Sequence, residues 1–173
     1  MTISTVLDKL YTHAFDMVKF GETKNTALIA FNGVIILGMS KLAFDTTNDY
    51  LYYYALLAIA LSTISVFISF FALVAKIRLE ENVFALPKND NPLFFATIAH
   101  LTHEELIEKL HHHYGCASEN GNYEKDHAKQ AIITSQIASR KFKLFNIAIA
   151  FTFCGVATPI SFLIYQLFLQ RDK

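Results

Sequence analysis

The chain has 173 residues, its formal net charge is zero, and 53% of its residues are hydrophobic. A soluble domain of this size rarely has such a large and clustered apolar content, so the composition argues against a soluble enzyme and is typical of a small integral membrane protein. The first 20 residues contain two aspartates and no apolar run or cleavage site, so no secretory signal peptide is expected. The two cysteines, Cys116 and Cys154, fall in a predicted loop and a predicted span, so no disulfide is expected.

Residues 1–24 predict an amphipathic N-terminal helix, because apolar side chains recur there every three or four positions opposite charged ones. Hydropathy then predicts a first membrane span over residues 27–44. Gly21 is the only glycine before the span, and no proline lies there, so one helix can continue from the amphipathic segment into the span. Asn32 falls at membrane depth, where an amide needs a hydrogen-bond partner, so it is expected to face protein rather than lipid.

Two further spans are predicted over residues 51–75 and 144–169, and the second follows a polar, basic helix without an intervening loop. Small and polar residues recur on one side of each span at spacings of three or four, and a proline favours a kink in the last span. These stripes are expected to be packing faces or the lining of a water-filled path, and the second alternative requires an oligomer. The candidate packing or pore residues are Asn32, Ser62, Ser65, Ser69, Asn146 and Pro159.

Between these two spans, residues 76–143 form a predicted cytoplasmic helical segment. The stretch EENVFALPKNDNP indicates an opening loop. Thr102, with Glu105 three residues later, predicts a capping box that begins a helix over residues 103–114. The stretch GCASENGNY is expected to be a second loop, after which a long helix runs from Asp126 into the third span.

The predicted fold class is therefore all-α, an integral membrane protein with three transmembrane helices, a cytoplasmic helical hairpin and an amphipathic N-terminal helix. Residues 1–173 are expected to form a single membrane domain. Twelve of the fifteen lysines and arginines lie before Asn25 or between residues 76 and 143. Because cytoplasmic segments are enriched in these cations, the N-terminus is predicted to be cytoplasmic and the C-terminus periplasmic.

Histidines and glutamates crowd the predicted helix over 103–114 and the residues just before it. A zinc or nickel site could use these groups, but the spacing does not match H-E-x-x-H, and histidines at the solvated C-terminus of a helix are the simpler interpretation. No phosphate-binding glycine loop, nucleophile elbow or hydrolytic triad is present, so we expect no enzyme, no catalytic residue, no metal and no resident cofactor. The clustered residues are His100, His103, Glu104, Glu105, Glu108, His111, His112 and His113.

A basic stripe follows one face of the long helix, because its cations and amides recur at spacings of three, four or seven. Three interpretations stay open: attraction to anionic lipid head groups near Arg140, Lys141 and Lys143, ion pairs with Glu104 and Glu108, and recognition of a phosphate. Two phenylalanines after the Asn91-Pro92 turn could offer a stacking surface for a base. The candidate ligand-binding residues are Lys125, Lys129, Gln136, Arg140, Phe94 and Phe95.

Three segments together resemble a known family. They are GETKNTALIAFNGVIILG, NPLFFATIAHLTHEELIEKL and AKQAIITSQIASRKFKLFNIAI, and in this order the chain resembles the small transmembrane effectors of the Pycsar anti-phage system of bacteria. The resemblance implies a receptor for cyclic CMP or cyclic UMP, which a partner pyrimidine cyclase makes on infection. It further implies that the bound effector impairs the inner membrane and halts the cell. It assigns no ligand residues, so those named above rest on charge and on the possible stacking of a base.

Two other functions remain as alternatives. The spans could tether a protein-binding module that has no channel activity, or the histidine cluster could handle metal ions. The expected partners are the lipid bilayer, a cyclic pyrimidine nucleotide and further copies of the chain, and no nucleic acid is expected.

Overall fold

The computed structural model describes residues 2–74, 91–115 and 121–171, and its side chains are described as far as residue 157. Within these residues the chain is helical and contains no strand, so the predicted all-α class is confirmed. The helices are α1 (Ile3–Asp45), α2 (Asp49–Leu73), α3 (Phe95–Ile98), α4 (His103–Tyr114) and α5 (Gly121–Arg171).

Helices α1 and α2 are each long and apolar enough to cross a membrane. Helix α1 passes through Gly21 and joins the predicted amphipathic segment to the first predicted span without a break. Helix α2 begins after Asn48, whose Oδ1 accepts a hydrogen bond from the Tyr50 amide at 3.0 Å. The third predicted span falls in α5, where side chains after residue 157 lie outside the described residues, so this span and the kink at Pro159 stay predictions.

Helix α4 has the predicted bounds and the predicted capping box. Thr102 Oγ1 accepts a hydrogen bond from the Glu105 amide at 3.2 Å, and Glu105 Oε2 accepts one from the Thr102 amide at 2.8 Å. The helix ends at Tyr114 and is capped by Gly115, whose φ of 59° lies in the left-handed region that glycine adopts without strain.

The two predicted loops are described only in part. Of the opening loop, only its last two residues, Asn91 and Pro92, are described. The second loop was expected to extend to Tyr123, but α5 already begins at Gly121. This correction has a local cause, because Glu124 lies in the first turn, where an acidic side chain stabilises a helix N-terminus.

The chain divides into two compact units. Unit 1 contains Met1–Glu22 and Ala75–Phe142, and unit 2 contains Thr23–Val74 and Lys143–Lys173, so α1 and α5 each contribute residues to both units. In unit 1 the first turns of α1 share an apolar core with α3, α4 and α5. That core consists of Ile3, Val6, Leu7, Leu10, Ile98, Leu106, Leu110, Ala128 and Ile132. The single membrane domain over residues 1–173 stays a prediction.

Unit 2 is built on small side chains. On α2 a stripe of alanines and serines is buried, and a Cβ added at Gly155 of α5 would lie 3.5 Å from the carbonyl oxygen of Ala58. Small residues allow helix backbones to approach this closely in a membrane. The buried residues of the α2 stripe include Ala58, Ser62, Ser65, Ser69 and Ala72.

Candidate functional site

The six candidate ligand residues all belong to unit 1, but they do not form one site. Lys125 and Arg140 are fifteen positions apart on α5, which corresponds to about 22 Å along a helix. That distance exceeds the length of a cyclic mononucleotide. The candidates therefore separate into an upper group near Lys125 and a lower group near Arg140.

Two of the candidates already have partners within the chain. Lys129 Nζ lies 3.7 Å from Asp126 Oδ1 on the exposed side of α5. Gln136 Nε2 donates a hydrogen bond to the carbonyl oxygen of Ala99 at 3.1 Å, which ties α5 to the turn after α3. Both contacts are structural, and a ligand would have to compete with them.

Of the upper group, Lys125 lines a groove of about 350 Å³, within the size range of small-ligand sites. Helix α4 contributes two glutamates and a histidine to one wall, while α5 contributes Lys125 and α1 contributes its first residue. Lys125 thus lines the same groove as Glu104 and Glu108, although no ion pair joins them among the described residues. We call this the α4–α5 groove, and its lining is Ile3, Glu104, Ile107, Glu108, His111 and Lys125.

The lower group includes two phenylalanines that belong to a row of rings. Asn91 Oδ1 accepts a hydrogen bond from the Leu93 amide at 3.0 Å, and this turn presents Phe94 and Phe95 at the start of α3. The ring centroids of Phe94 and Phe95 are 5.0 Å apart, and Phe95 lies 5.8 Å from Phe142. Phe95 therefore packs within the chain, while Phe94 remains 41% exposed and can still contact a ligand or lipid.

Lys141 is not the lipid-facing cation that its sequence position suggested. Its side chain is only 6% exposed, and its Nζ lies 3.0 Å from Glu22 Oε1. The helices are close here, because a Cβ added at Gly21 would lie 3.2 Å from the Lys141 Cβ. The physical reason for the correction is helical phase, since Lys141 follows the buried face of α5 that includes Ala131 and Ala138.

His127 is an inter-helix contact that the sequence analysis did not identify. Its Nε2 lies 2.7 Å from Asp8 Oδ1, and its ring packs against Tyr11 and Tyr123 with centroids 5.8 and 5.2 Å away. Asp8 lies on the charged face of the predicted N-terminal helix, and His127 lies one position from the buried Ala128 of α5. The sequence offers no local signal for this contact, because it joins residues 119 positions apart.

In unit 2 a polar cluster of Asn32, Ser65 and Thr152 joins α1, α2 and α5. Asn32 is fully buried, its Nδ2 lies 2.9 Å from Thr152 Oγ1 and 3.2 Å from Ser65 Oγ, and its Oδ1 accepts from Thr152 Oγ1 at 3.0 Å. Ser65 donates to the carbonyl oxygen of Ala148 at 2.8 Å. Ser62 and Ser69 are buried on either side of Ser65, and Thr152 is the member that the sequence analysis missed.

The stripe predicted for the third span is not the face of α5 that is buried within one chain, so its role as a packing face or as the lining of a path in an oligomer stays a prediction. Asn146 and Cys154 are exposed, whereas Ala148 and Thr152 are buried and Gly155 lies against α2. Two positions along a helix correspond to a rotation of about 200°, so these two sets occupy opposite faces. Both faces carry small residues at the same spacing, and the sequence does not distinguish them. The side chain of Pro159 lies outside the described residues.

Among the residues that the structure describes, no group of three or more histidine, cysteine, aspartate or glutamate side chains is arranged to hold a metal ion. The rings of His112 and His113 lie edge to face, 5.5 Å apart, at the end of α4.

Comparison with known proteins gives one match. The family model described as Pycsar effector protein domain matches residues 6–168. Searches among curated proteins and among solved structures found no significant match.

Proposed function

The chain belongs to the Pycsar effector protein family, a family of anti-phage defence effectors, and from this premise we propose that it is a membrane effector gated by a cyclic pyrimidine mononucleotide. In this proposal a pyrimidine cyclase makes cyclic CMP or cyclic UMP on infection, the effector binds it, and an oligomer then disrupts the inner membrane. The infected cell stops growing before phage are released. The observation that carries the proposal is the family match over nearly the whole chain, together with two helices able to span a membrane.

The surface of unit 2 supports contact with lipid. Large apolar side chains on α1 and α2 are strongly exposed, including Val34 at 70%, Leu37 at 74% and Phe71 at 63%. Exposed apolar patches of this kind are typical of membrane or protein contact surfaces and rare on soluble monomers. The family is one of transmembrane effectors rather than enzymes, which agrees with such a surface.

Asn146 supports the oligomer. It is exposed on α5 between apolar neighbours at the start of the third predicted span. An amide at membrane depth gains stability from a hydrogen bond to another helix, and within one chain this face of α5 is not the buried one. A second copy of the chain would supply the partner.

Replacing Asn146 by leucine is therefore expected to shift the detergent-solubilised protein toward smaller assemblies. An interhelical hydrogen bond of about 0.6–2 kcal/mol corresponds to a loss of roughly 3- to 30-fold in association per contact. Light scattering coupled to size-exclusion chromatography measures the change, with Thr63→Val as the control, because Thr63 bonds only to the carbonyl oxygen of Ile59 in its own helix. Identical assembly sizes for N146L and the wild type would remove this argument for an oligomer.

Gating requires the ligand to favour one state over another. Reversing an equilibrium from 99% closed to 99% open takes about 5.5 kcal/mol of differential binding, which several subunits can share. Helices α1 and α5 each include residues of both units, so each is a continuous path by which binding in unit 1 can act on the apolar helices of unit 2. The proposal has unit 1 and the N-terminus on the cytoplasmic side, because most lysines and arginines of the sequence belong to unit 1.

The proposal is tested in bacteria that produce this protein with a pyrimidine cyclase, or either protein alone. The cells are infected with phage, and entry of a membrane-impermeant DNA dye is measured before lysis. We expect early dye entry only when both proteins are present. Exclusion of the dye from all cells, with the protein recovered in the membrane fraction, would contradict the proposal and favour a tethered protein-binding module.

A further inference from the structure

We propose that the turn into α3 anchors unit 1 to the membrane, with Leu93 and Phe94 inserted where the lipid head groups meet the acyl chains. The inference rests on the proposed function in one respect, because it takes α1 and α2 as membrane spans. It adds a lipid contact for unit 1, and it assigns Phe94 to lipid rather than to the base of a nucleotide.

Four phenylalanine rings of unit 1 form a continuous row. The ring centroid of Phe20 on α1 lies 6.1 Å from that of Phe142 on α5. Phe142 lies 5.8 Å from Phe95, and Phe95 lies 5.0 Å from Phe94. The two outer rings are exposed, Phe20 by 48% and Phe94 by 41%, and Leu93 beside Phe94 is 40% exposed. The row therefore presents large apolar side chains at the surface of unit 1.

Helix α5 holds α3 at both ends, so this exposure is a consequence of the fold. At the start of α3, the ring of Phe95 packs against Phe142. After its end, the carbonyl oxygen of Ala99 accepts a hydrogen bond from Gln136 Nε2 at 3.1 Å. An apolar surface that a fold holds outward in this way is typical of a contact with a membrane or a protein.

The position of the row along the two long helices favours the bilayer as that partner. Phe142 lies two positions before the third predicted span, about 3 Å along the axis of α5. On α1, Phe31 and Val34 follow Phe20 by about three and four helical turns, so they share one face of the helix with it. Phe31 and Val34 are 55% and 70% exposed in the first predicted span, on a surface that the proposed function gives to lipid. The row thus continues the lipid-facing side of α1 to the depth of the head groups.

Exposed lysines accompany the row on both long helices. Lys19 directly precedes Phe20, and Lys143 directly follows Phe142. A lysine can lay its apolar stem along such rings and keep its ammonium group among the head groups. Phenylalanine and leucine beside cations are typical of protein segments that lie in the membrane interface, because an anionic layer there covers an apolar one.

Tryptophan fluorescence tests the anchor, because the chain contains no tryptophan and one substitution introduces a single reporter. The full chain is reconstituted in vesicles of phosphatidylcholine and phosphatidylglycerol. The acyl chains carry bromine, which quenches tryptophan on contact, near either their glycerol end or their methyl end. Phe94→Trp and Leu93→Trp are expected to lose most of their fluorescence with bromine near the glycerol end, and less with bromine near the methyl end.

Two further variants are the controls. Phe31→Trp places the reporter inside the first predicted span and should be quenched by lipid. Tyr114→Trp is the matched negative control, because Tyr114 is 45% exposed, much as Phe94 is, but lies at the end of α4 outside the row. Its fluorescence should be the same with and without bromine.

The outcomes separate this inference from the proposed function. If F31W is quenched but F94W and L93W are not, unit 1 has no such anchor, although the proposed function stands. Equal quenching of Y114W and F94W would also overturn the anchor, because the contact would then not be specific to the row. If cyclic CMP or cyclic UMP quenches F94W and bromine does not, the ring contacts the nucleotide instead. If F31W is not quenched either, α1 does not span the bilayer, and both proposals fail.

Discussion

Replacing Asn32 by leucine is expected to lower the free energy of unfolding by about 1–3 kcal/mol, although leucine has a similar size and suits an apolar span. The amide is buried at the contact of three helices, where it links Ser65 of α2 and Thr152 of α5. Its removal breaks these links and leaves two buried hydroxyl groups with fewer partners. Reversible unfolding in mixed micelles, followed by circular dichroism, measures the change.

Thr63→Val is the matched control for this experiment. Like Ser65 of the polar cluster, Thr63 is a hydroxyl-bearing residue of α2, but its Oγ1 donates only to the carbonyl oxygen of Ile59 one turn earlier. Its replacement should change the free energy of unfolding by less than about 0.5 kcal/mol. Equal effects of N32L and T63V would show that the polar cluster contributes no stability beyond that of an ordinary intrahelical bond.

Replacing Glu22 by glutamine is expected to destabilise the protein by about 1–3 kcal/mol, while replacing Lys141 by methionine changes its stability by less than about 1 kcal/mol. The asymmetry follows from burial, because Lys141 is 5% exposed, whereas the side chain of Glu22 is 48% exposed. Without the carboxylate the buried cation loses its 3.0 Å ion pair with Glu22. In K141M the glutamate is still hydrated, because its side chain is half exposed. The same exposure weakens the ion pair, so the effect of E22Q is expected to be smaller than for a fully buried pair.

The double variant E22Q/K141M provides the internal check. It is expected to be more stable than E22Q alone, because the methionine removes the buried charge whose ion pair with Glu22 is already broken in E22Q. The pair Asp126 and Lys129 is the control, since both side chains are more than half exposed and neutralising either should have little effect. The interpretation fails if E22Q and K141M destabilise the protein equally.

Local signals in the sequence predicted the helical elements well. The capping box at Thr102 and Glu105 defined the start of α4, and the uninterrupted pattern through Gly21 predicted that α1 is continuous. Both depend on neighbouring residues, because capping and helical periodicity act within one or two turns. The buried stripe of α2 could also be predicted from the sequence, because the opposite face of the helix carries large aromatic and aliphatic side chains.

Contacts between segments distant in the sequence were much harder to predict. In α5 two opposite faces carry small residues, so the sequence did not indicate that Thr152 rather than Asn146 would meet Asn32. The pairing of Lys141 with Glu22 joins residues 119 positions apart, a separation for which one sequence has no local signal. The ligand residues were grouped by charge and helix face, which ignores the distance of about 22 Å along α5 between Lys125 and Arg140.

Leakage from liposomes that contain the purified protein is the most direct test of the central claim, that a cyclic pyrimidine gates damage to the membrane. Dye and ion release are compared with cyclic CMP, cyclic UMP, cyclic AMP and no nucleotide, after insertion of the protein has been confirmed. The account predicts release with a cyclic pyrimidine and intact liposomes with cyclic AMP or no nucleotide. Equal release under all four conditions, or release under none, would contradict it.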